Sequence, residues 1–305
     1  MPVDAELQPV LDLLAAMEQP PPMEAGPDAA REGFALLCAA FGPGAQDVTA
    51  TDITLAGADG PIPGRMYRPA GAAPSGTGAA GLVFLHGGGF VIGSLDTHDA
   101  LCRDLAAGAD ITVVSVDYRL APEHPAPAAA ADATSALDDV VRRAPELGLD
   151  PSRLAVGGDS AGGNLAAVVA QMARDKGGPE IAFQLLFYPA TMWDFTLPSM
   201  IENAHAPVLT VDDLKRFYSW YAGGGDITNP PARMAPGRAT DLSGLPAAYI
   251  ATAGHDPLRD DGLRYAEMLT DAGNDVQYHN APTLTHAFLG FYDAVPAVTT
   301  TTDLG

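Results

Sequence analysis

One serine stands between glycines in a pattern that predicts a nucleophile. Residues 156–165 read Val-Gly-Gly-Asp-Ser-Ala-Gly-Gly-Asn-Leu. The apolar residues before this stretch predict a short buried strand, and residues 161–176 have the periodicity of a helix. Ser160 therefore lies on a tight strand-turn-helix. Such a turn strains the backbone, exposes the hydroxyl and leaves no room for side chains at Gly158 and Gly162.

A second glycine-rich motif could stabilise the negative charge that attack by a serine creates. An apolar strand at residues 82–85 runs directly into the sequence His-Gly-Gly-Gly-Phe at residues 86–90. Backbone N–H groups exposed by glycines can bind the oxyanion of a tetrahedral intermediate. We assign these donors to Gly88, Gly89 and Ala161, the last being the residue after the nucleophile. The glycine spacings typical of phosphate or dinucleotide binding are missing.

A serine hydroxyl also needs a base to take its proton and a carboxylate to orient that base. Where a serine sits on an elbow of this kind, the acid and then the histidine follow it along the chain. Asp256 and His286 each come after a predicted strand, at its C-terminal end, so we assign them these roles. The other histidines after Ser160 are interpreted as surface or packing residues: His205, His255 and His279.

Other charged residues near these motifs are given structural roles. Asp159 adjoins the serine, but neighbouring side chains on a tight turn point apart, so we expect it to hold the turn in shape. Asp260 and Asp261 are expected to favour the N-terminus of a helix through its dipole. Arg119 and Glu123 are expected to pair with each other or with nearby carbonyl groups.

Predicted strands and helices alternate around these motifs. This alternation predicts an α/β fold with a parallel sheet. Strands are predicted at residues 82–85, 111–116, 154–156, 183–188, 247–253 and 275–280. Helices are predicted at residues 97–108, 128–143, 161–176 and 260–272.

Five blocks, in this order along the chain, resemble the bacterial hormone-sensitive-lipase family of esterases, and the likeness covers most of the sequence. The blocks are residues 86–90, 117–125, 158–163 and 256–260, and His286 with Phe288. The resemblance implies an α/β-hydrolase core with eight mostly parallel strands, a helical cap and no cofactor. It further implies hydrolysis of carboxylic esters with short acyl chains. The chain departs from the family at Ala287, where a glycine is common, and at His255 before the acid.

Two regions fall outside the alternation and are expected to form the cap. Residues 1–45 make its N-terminal helical part and residues 192–245 an insertion, while residues 46–191 and 246–305 form the two parts of the core. Apolar residues recur at helical spacing in both cap regions, and Thr210 is expected to cap a helix there. Aromatic residues that could form the walls of a substrate pocket are Phe34, Phe90, Trp193, Phe217 and Phe288.

These features together predict a serine carboxylesterase that hydrolyses neutral esters of short to medium acyl length through an acyl-enzyme. An amidase or a lactonase could use the same three catalytic residues, and no motif distinguishes these reactions. A homologue that binds a ligand without hydrolysing it is less favoured, because such proteins have lost the histidine that His286 provides here.

The charge balance limits the partners of the protein. The 305 residues include 38 acids against 16 bases, a formal net charge of −22. A field of this sign repels nucleic acid, anionic lipid surfaces and anionic substrates, so neutral esters are favoured. The scarcity of lysine suits both a salt-tolerant protein and a GC-rich genome, and the sequence leaves these two readings open.

The remaining sequence signals concern location, metals and assembly. Two cysteines in a chain of this length predict free thiols at Cys38 and Cys102. Residues 1–20 have no basic start or apolar stretch typical of a secretory signal, and no run is long enough to span a bilayer, so we expect a cytoplasmic protein. No metal-binding motif occurs. The resemblance implies a homodimer that forms along the edge strand at residues 275–280, although charge could equally shield that edge.

Overall fold

A single sheet of eight strands organises the chain in the computed structural model, which describes residues 1–17, 25–70 and 78–291. The strand order is β1-β2-β4-β3-β5-β6-β7-β8. The strands are β1 (Val48–Gly57), β2 (Gly60–Pro69), β3 (Ala79–Leu85), β4 (Thr112–Val116), β5 (Leu149–Asp159), β6 (Phe183–Phe187), β7 (Ala247–His255) and β8 (Val276–Thr285). Strand β2 runs antiparallel to β1 and β4, and the other neighbours are parallel.

Eight α-helices in the described part of the chain accompany this sheet. They are α1 (Gln8–Met17), α2 (Pro27–Cys38), α3 (Asp99–Ala109), α4 (Ala128–Arg142), α5 (Ala161–Lys176), α6 (Pro198–Glu202), α7 (Val211–Tyr221) and α8 (Arg259–Asp271). Short 3-10 helices span Ala5–Leu7, Pro236–Arg238 and Phe288–Phe291. The sheet with its flanking helices confirms the predicted α/β architecture of eight mostly parallel strands.

The central strands are apolar on both faces because helices cover the sheet on each side. Alternate residues of β3 enter opposite core clusters: Val83 and Leu85 pack with α4 and α5, whereas Leu82 and Phe84 pack with α3. This two-residue period follows from the pleat of a strand. The continuous apolar run that predicted β3 therefore belongs to a strand buried on both sides.

The predicted elements lie close to the observed ones. Helix α5 has the predicted bounds. The ends of α3, α4 and α8 lie within two residues of the predicted ends. Strands β5 and β8 are longer than expected, because residues beyond the predicted stretches, such as Gly157, Gly158 and Thr285, still pair with the neighbouring strands. Strand β8 closes one edge of the sheet.

The two regions outside the alternation carry helices. Residues 1–45 contain α1 and α2, and residues 192–245, between β6 and β7, contain α6, α7 and a 3-10 helix. Thr210 caps α7 as predicted, because its hydroxyl accepts a hydrogen bond from the N–H of Asp213, whose carboxylate accepts one from the N–H of Thr210. The last 14 residues, 292–305, lie outside the described part of the chain.

Candidate active site

Ser160 occupies a strained turn between β5 and α5. Its backbone has φ 54° and ψ −116°, a conformation that is costly for any residue except glycine. A Cβ atom at Gly162 would lie 1.8 Å from the carbonyl oxygen of Leu85, and one at Gly158 would lie 2.3 Å from the same atom. The predicted need for glycines on either side of the serine is thus confirmed, since the end of β3 packs directly against the turn.

Three side chains from separate loops meet at this turn. His286 Nε2 lies 3.0 Å from Ser160 Oγ, and His286 Nδ1 lies 2.7 Å from Asp256 Oδ2. Both are hydrogen-bonding distances. The serine follows β5, the aspartate follows β7 and the histidine follows β8. Parallel strands end at the same edge of a sheet, and the structure therefore brings together the three residues that the sequence analysis named.

The acid and the histidine are fixed by neighbouring groups. Asp256 is fully buried, and its Oδ1 accepts a hydrogen bond of 2.8 Å from the N–H of Leu258. The ring of Tyr188 packs edge-on against His286, with 4.8 Å between centroids. The side-chain amide of Asn203 donates to the carbonyl oxygens of Gly254 and Asp256, each at 3.1 Å. Sequence reasoning missed Asn203, because a single polar residue in an insertion carries no motif.

The glycine motif after β3 forms a tight loop beside the serine. Gly88 and Gly89 have positive φ angles of 109° and 59°. The carbonyl oxygen of Gly88 accepts hydrogen bonds from Val91 (3.0 Å) and Ile92 (2.9 Å), which closes the loop. A Cβ atom at Gly89 would lie 2.3 Å from the ring of Phe217 in α7. Glycine is therefore required at both positions, for its conformation and for space.

The N–H groups of this loop are available to a ligand. Within the part of the chain that the structure describes, those of Gly88, Gly89 and Ala161 make no hydrogen bond to a protein acceptor. All three residues line the cavity onto which Ser160 and His286 open. Backbone donors placed around a nucleophile in this way can bind a developing oxyanion.

The cavity above the serine has a volume of about 330 Å³ and a mostly apolar wall. Its aromatic lining residues are Phe34, Phe90, Phe217 and Tyr218. Helices α1, α2 and α7 all contribute residues to its lining. Two carboxylates, those of Asp159 and Asp213, also belong to residues of its lining.

Two aromatic residues predicted as pocket walls do not line this cavity. Trp193 is buried behind the wall, where its ring stacks on Tyr218 with 3.7 Å between centroids. Phe288 is also fully buried and packs edge-on against Tyr188 at 5.0 Å. Both positions are corrected, because these rings support residues of the site rather than face the space a substrate would fill.

Asp159 holds the turn through contacts with the glycine loop. Its Oδ1 accepts a hydrogen bond of 2.7 Å from the N–H of Gly87 and lies 3.3 Å from His98 Nε2. Burial would raise the pKa of Asp159, but the His98 ring and the Gly87 donor outweigh it, so the pKa lies below its usual value. The partner His98 was not predicted, since it is about 60 residues away and belongs to no motif.

His86 is a buried packing residue at the start of the loop. Its ring stacks on Tyr118 with 4.3 Å between centroids, and the Tyr118 hydroxyl donates to the His86 carbonyl oxygen at 2.6 Å. Burial lowers the pKa of His86 to about 3, so the ring is neutral at physiological pH.

The expected pairing of Arg119 with Glu123 is wrong. Arg119 binds the buried carboxylate of Asp132 at 2.7 Å and also contacts Asp59. Glu123 instead binds Arg31 of helix α2 at 2.6 Å. The turn between residues 117 and 125 thus connects to two other elements rather than closing on itself.

Asp260 and Asp261 do more than favour a helix N-terminus. Both lie in the first turn of α8, but their carboxylates accept hydrogen bonds from the backbone of the insertion. Asp260 binds the N–H of Ser199 at 2.8 Å, and Asp261 binds the N–H of Met192 at 2.7 Å. The expected position in the first helical turn is confirmed, and these acids also attach residues 192–245 to the core.

Several other groups in the described residues have no contact with the serine. His205 is exposed, while His255 and His279 belong to β7 and β8. Cys38 and Cys102 are free thiols, as predicted. Among the residues described, no cluster of three or more His, Cys, Asp or Glu side chains could hold a metal ion. Nor does any helix in that part have the length and apolar character needed to cross a membrane.

Several curated proteins similar to this chain are named as esterases or ester hydrolases. The family described as alpha/beta hydrolase fold matches residues 82–290. The chain is 55% identical over 259 residues to esterase LipI of Mycobacterium tuberculosis, covering 85% of this chain and 81% of that protein. It is 41% identical over 246 residues to ethyl acetate hydrolase of Pseudomonas putida, covering 78% and 75%. Arylacetamide deacetylase of Oryctolagus cuniculus is 32% identical over 311 residues, covering 81% and 76%.

Solved structures of ester hydrolases share the whole fold. An ester-hydrolase from the metagenome of Lake Arreo, complexed with a derivative of bipyridine phosphonate, superposes with a TM-score of 0.92 at 36% identity, covering 99% of this chain and 96% of that one. A thermostable esterase from Pseudomonas putida superposes with a TM-score of 0.93 at 32% identity, covering 99% and 95%.

Proposed function

We propose a mechanism from the premise that the chain belongs to the bacterial hormone-sensitive-lipase family of esterases and is a serine carboxylesterase. Ser160 is the nucleophile, His286 the general base and Asp256 the residue that orients the imidazole. Gly88, Gly89 and Ala161 supply the oxyanion hole. The observation that carries this assignment is the chain of two hydrogen bonds, 3.0 Å and 2.7 Å long, that links the three side chains.

The reaction has two stages that use the same groups. Ser160 Oγ attacks the ester carbonyl carbon while His286 Nε2 takes its proton, and the N–H donors stabilise the negative oxygen. His286 then protonates the leaving alcohol, and an acyl-enzyme forms. Water, deprotonated by His286 in the second stage, attacks this intermediate and releases the carboxylic acid.

The cavity favours neutral esters of short to medium acyl length. Its volume of about 330 Å³ and its aromatic wall suit a small apolar acyl or alcohol group. Two carboxylates in its lining and a formal net charge of −22 disfavour anionic substrates. The similarity to ethyl acetate hydrolase supports small esters as the substrate class.

Amide hydrolysis is the second candidate, supported by the similarity to arylacetamide deacetylase. An amide needs the same attack by Ser160 but a poorer leaving group, which His286 must protonate more fully. Turnover of a matched pair, a phenyl ester and the anilide of the same acid, distinguishes the two. We expect the ester to react faster by several orders of magnitude.

The test of the proposed function is removal of the nucleophile. Ser160→Ala should lower kcat for p-nitrophenyl butyrate by at least about 10⁴-fold, since the members of such a triad act as a unit. The far-ultraviolet circular dichroism and the melting temperature should stay close to those of the unchanged chain. A Ser160→Ala protein that kept a tenth of the activity would contradict the assignment.

The remaining parts of the proposal concern the cap and the setting of the enzyme. Residues 1–45 and 192–245 form one cap, because helices from both segments line the cavity. The core beneath this cap is made of residues 46–191 and 246–305.

We also propose a cytoplasmic enzyme without a nucleic-acid partner, and a homodimer along the edge strand β8. Sedimentation analysis tests for the dimer. Gln277→Lys, which places a charge on the edge strand, should shift the protein to the monomer.

A further inference from the structure

One arginine of the cap is bonded to the core at several points. Arg31 lies on helix α2, and its Nε donates to the carbonyl oxygen of Val91 at 2.9 Å. Its Nη2 donates to the carbonyl oxygen of Ala121 at 3.0 Å. The same guanidinium binds both oxygens of Glu123, at 2.8 and 2.6 Å, and also Asp28 at 3.2 Å. No motif in the sequence marks this residue.

The two carbonyl groups belong to the segments that shape the oxyanion loop. Val91 closes that loop, because its N–H donates to the carbonyl oxygen of Gly88 at 3.0 Å. Ala121 holds the same loop from the other side, since its N–H donates to the carbonyl oxygen of Phe90 at 2.9 Å. Arg31 therefore joins two backbone segments, at Val91 and at Ala121, that are both hydrogen-bonded to the loop carrying Gly88 and Gly89.

The helix that carries Arg31 also forms part of the cavity wall. Ala30, Gly33, Phe34 and Leu37 of α2 line the cavity. A shift of α2 relative to the loop would thus change both the width of the cavity and the direction of the N–H donors. The side chain of Arg31 connects these two parts through hydrogen bonds.

The chemistry of the guanidinium suits this role. It is planar and carries five donors, so it can bind two carbonyl oxygens and a carboxylate at once, whereas a lysine ammonium is a point charge. The hydrogen bond from Arg31 holds the pKa of Glu123 at about 2, so the carboxylate stays ionised at all working pH values. The ion pair and the carbonyl bonds are separate contributions that different substitutions can remove.

We propose that Arg31 is a positioning residue that fixes the oxyanion loop for attack by Ser160, through its bonds to the carbonyls of Val91 and Ala121 rather than through its ion pair with Glu123. This inference rests on the proposed function of Ser160 and the loop. It predicts that losing the carbonyl bonds slows the chemical step, while losing the ion pair alone does not.

Two substitutions separate these contributions. Arg31→Lys keeps a positive charge beside Glu123 but cannot reach both carbonyls in the same geometry. Glu123→Gln removes the ion pair and leaves the carbonyl bonds of Arg31 in place. The control is Arg264→Met, which removes an exposed arginine of α8 that pairs with Glu267 and does not line the cavity. Arg31→Met provides a fourth protein that lacks both contributions.

The measurement is the rate at which p-nitrophenyl methylphosphonate esters label the serine. A bond forms between Ser160 Oγ and phosphorus, the bond to the nitrophenolate breaks, and the serine proton passes to His286. The phosphoryl oxygen then occupies the oxyanion hole. Release of nitrophenolate gives the maximal rate constant and the half-saturating concentration of the reagent, and circular dichroism gives the melting temperature of each protein.

We expect Arg31→Lys to lower the maximal rate constant about 10-fold to 100-fold, since small misplacements of catalytic groups have effects of this size. Its half-saturating concentration should change less than about threefold. Glu123→Gln and Arg264→Met should keep rate constants within about threefold of the unchanged chain. If Arg31→Met does not fold, the Lys and Gln variants still decide the question.

The contrary outcomes are distinct. A rate constant for Arg31→Lys equal to that of the unchanged chain would overturn the inference, as would an equal loss in Glu123→Gln, which would assign the effect to the ion pair. A change confined to the half-saturating concentration would also overturn it. If the unchanged chain released no stoichiometric nitrophenolate, the proposed function itself would fail, whatever the behaviour of the Arg31 variants.

Discussion

Two buried pairs of histidine and aspartate lie near the nucleophile, one hydrogen-bonded to it and one that includes the residue before it. His286 and Asp256 are 2.7 Å apart, and His98 and Asp159 are 3.3 Å apart. All four side chains are almost inaccessible to solvent. Composition and burial therefore do not distinguish the pair that we propose to be catalytic from the pair that holds the backbone.

The difference lies in the second nitrogen of each ring. His286 Nε2 faces Ser160 Oγ at 3.0 Å, at the floor of the cavity. His98 Nδ1 instead lies 2.9 Å from the Thr97 hydroxyl, so both of its nitrogens are engaged by groups that do not react. A histidine paired with a carboxylate becomes a general base only when its other nitrogen meets a nucleophile and a substrate can reach both.

The same substitution in both rings gives the largest contrast. His286→Gln should lower kcat for p-nitrophenyl butyrate by at least about 10⁴-fold, because no base remains to take the serine proton. His98→Gln should keep kcat within about tenfold, since an amide can still donate to Asp159. Steady-state kinetics of the two variants check this. A loss of similar size in both would show that the two pairs are not functionally distinct.

Replacing the carboxylates should give a smaller but parallel contrast. Asp256→Asn should lower kcat by roughly 10³-fold to 10⁴-fold, because the imidazole loses the acceptor that sets its tautomer. Asp159→Asn keeps an acceptor for the N–H of Gly87 and should keep kcat within about tenfold. Its cost should appear in stability, about 1–3 kcal/mol from the lost charged hydrogen bonds, measured by urea denaturation.

A third buried acid, Asp261, has no histidine partner among the residues that the structure describes, and its pKa is raised rather than lowered. Burial, together with the negative charge of Asp256, raises the pKa of Asp261 to about 7. In the unfolded chain this carboxyl ionises near pH 4. Between these values the folded state binds the extra proton, so Asp261 makes the free energy of unfolding fall as pH rises from about 4 to about 7.

Asp261→Asn should therefore make the free energy of unfolding fall less steeply as pH rises, with little change in kcat. Denaturant unfolding at several pH values between 4.5 and 7.5 measures the slope of the free energy of unfolding against pH. Asp260→Asn is the matched control. Its neighbour Arg259 and the N–H of Ser199 outweigh burial and lower the pKa of Asp260, so its substitution should destabilise the protein evenly across this range. Equal slopes in the unchanged chain and Asp261→Asn would contradict the expectation.

The sequence predicted what depends on local pattern and chain order. The glycines around Ser160, the strand ends before Asp256 and His286, and the alternation of elements are all written in short stretches, and the predicted fold was confirmed. Contacts between distant segments were not predictable in this way. Three residues reach their partners across long stretches of chain that no spacing rule marks. The separation is 61 residues for His98, 51 and 53 for Asn203, and 60 to 92 for Arg31.

Aromatic residues show a second limit. Phe217 and Trp193 both belong to the insertion and both were expected at the cavity wall, yet only Phe217 lines it. Phe217 lies in helix α7, whereas Trp193 lies in the irregular segment before α6, where Tyr218 stacks over its ring and closes it off. Helical spacing predicts that an aromatic face will be buried, but not which surface buries it.

The bonds from Asn203 to the carbonyls of Gly254 and Asp256 have a consequence for protein engineering. A designer who exchanged residues 192–245 for the corresponding segment of another esterase, in order to alter the range of acceptable acyl groups, would also replace a support of Asp256, the residue that orients the imidazole. Such chimeras should keep Asn203, or supply an amide in its place, if turnover is to survive the exchange. Selectivity and catalytic power are thus inherited together in this segment.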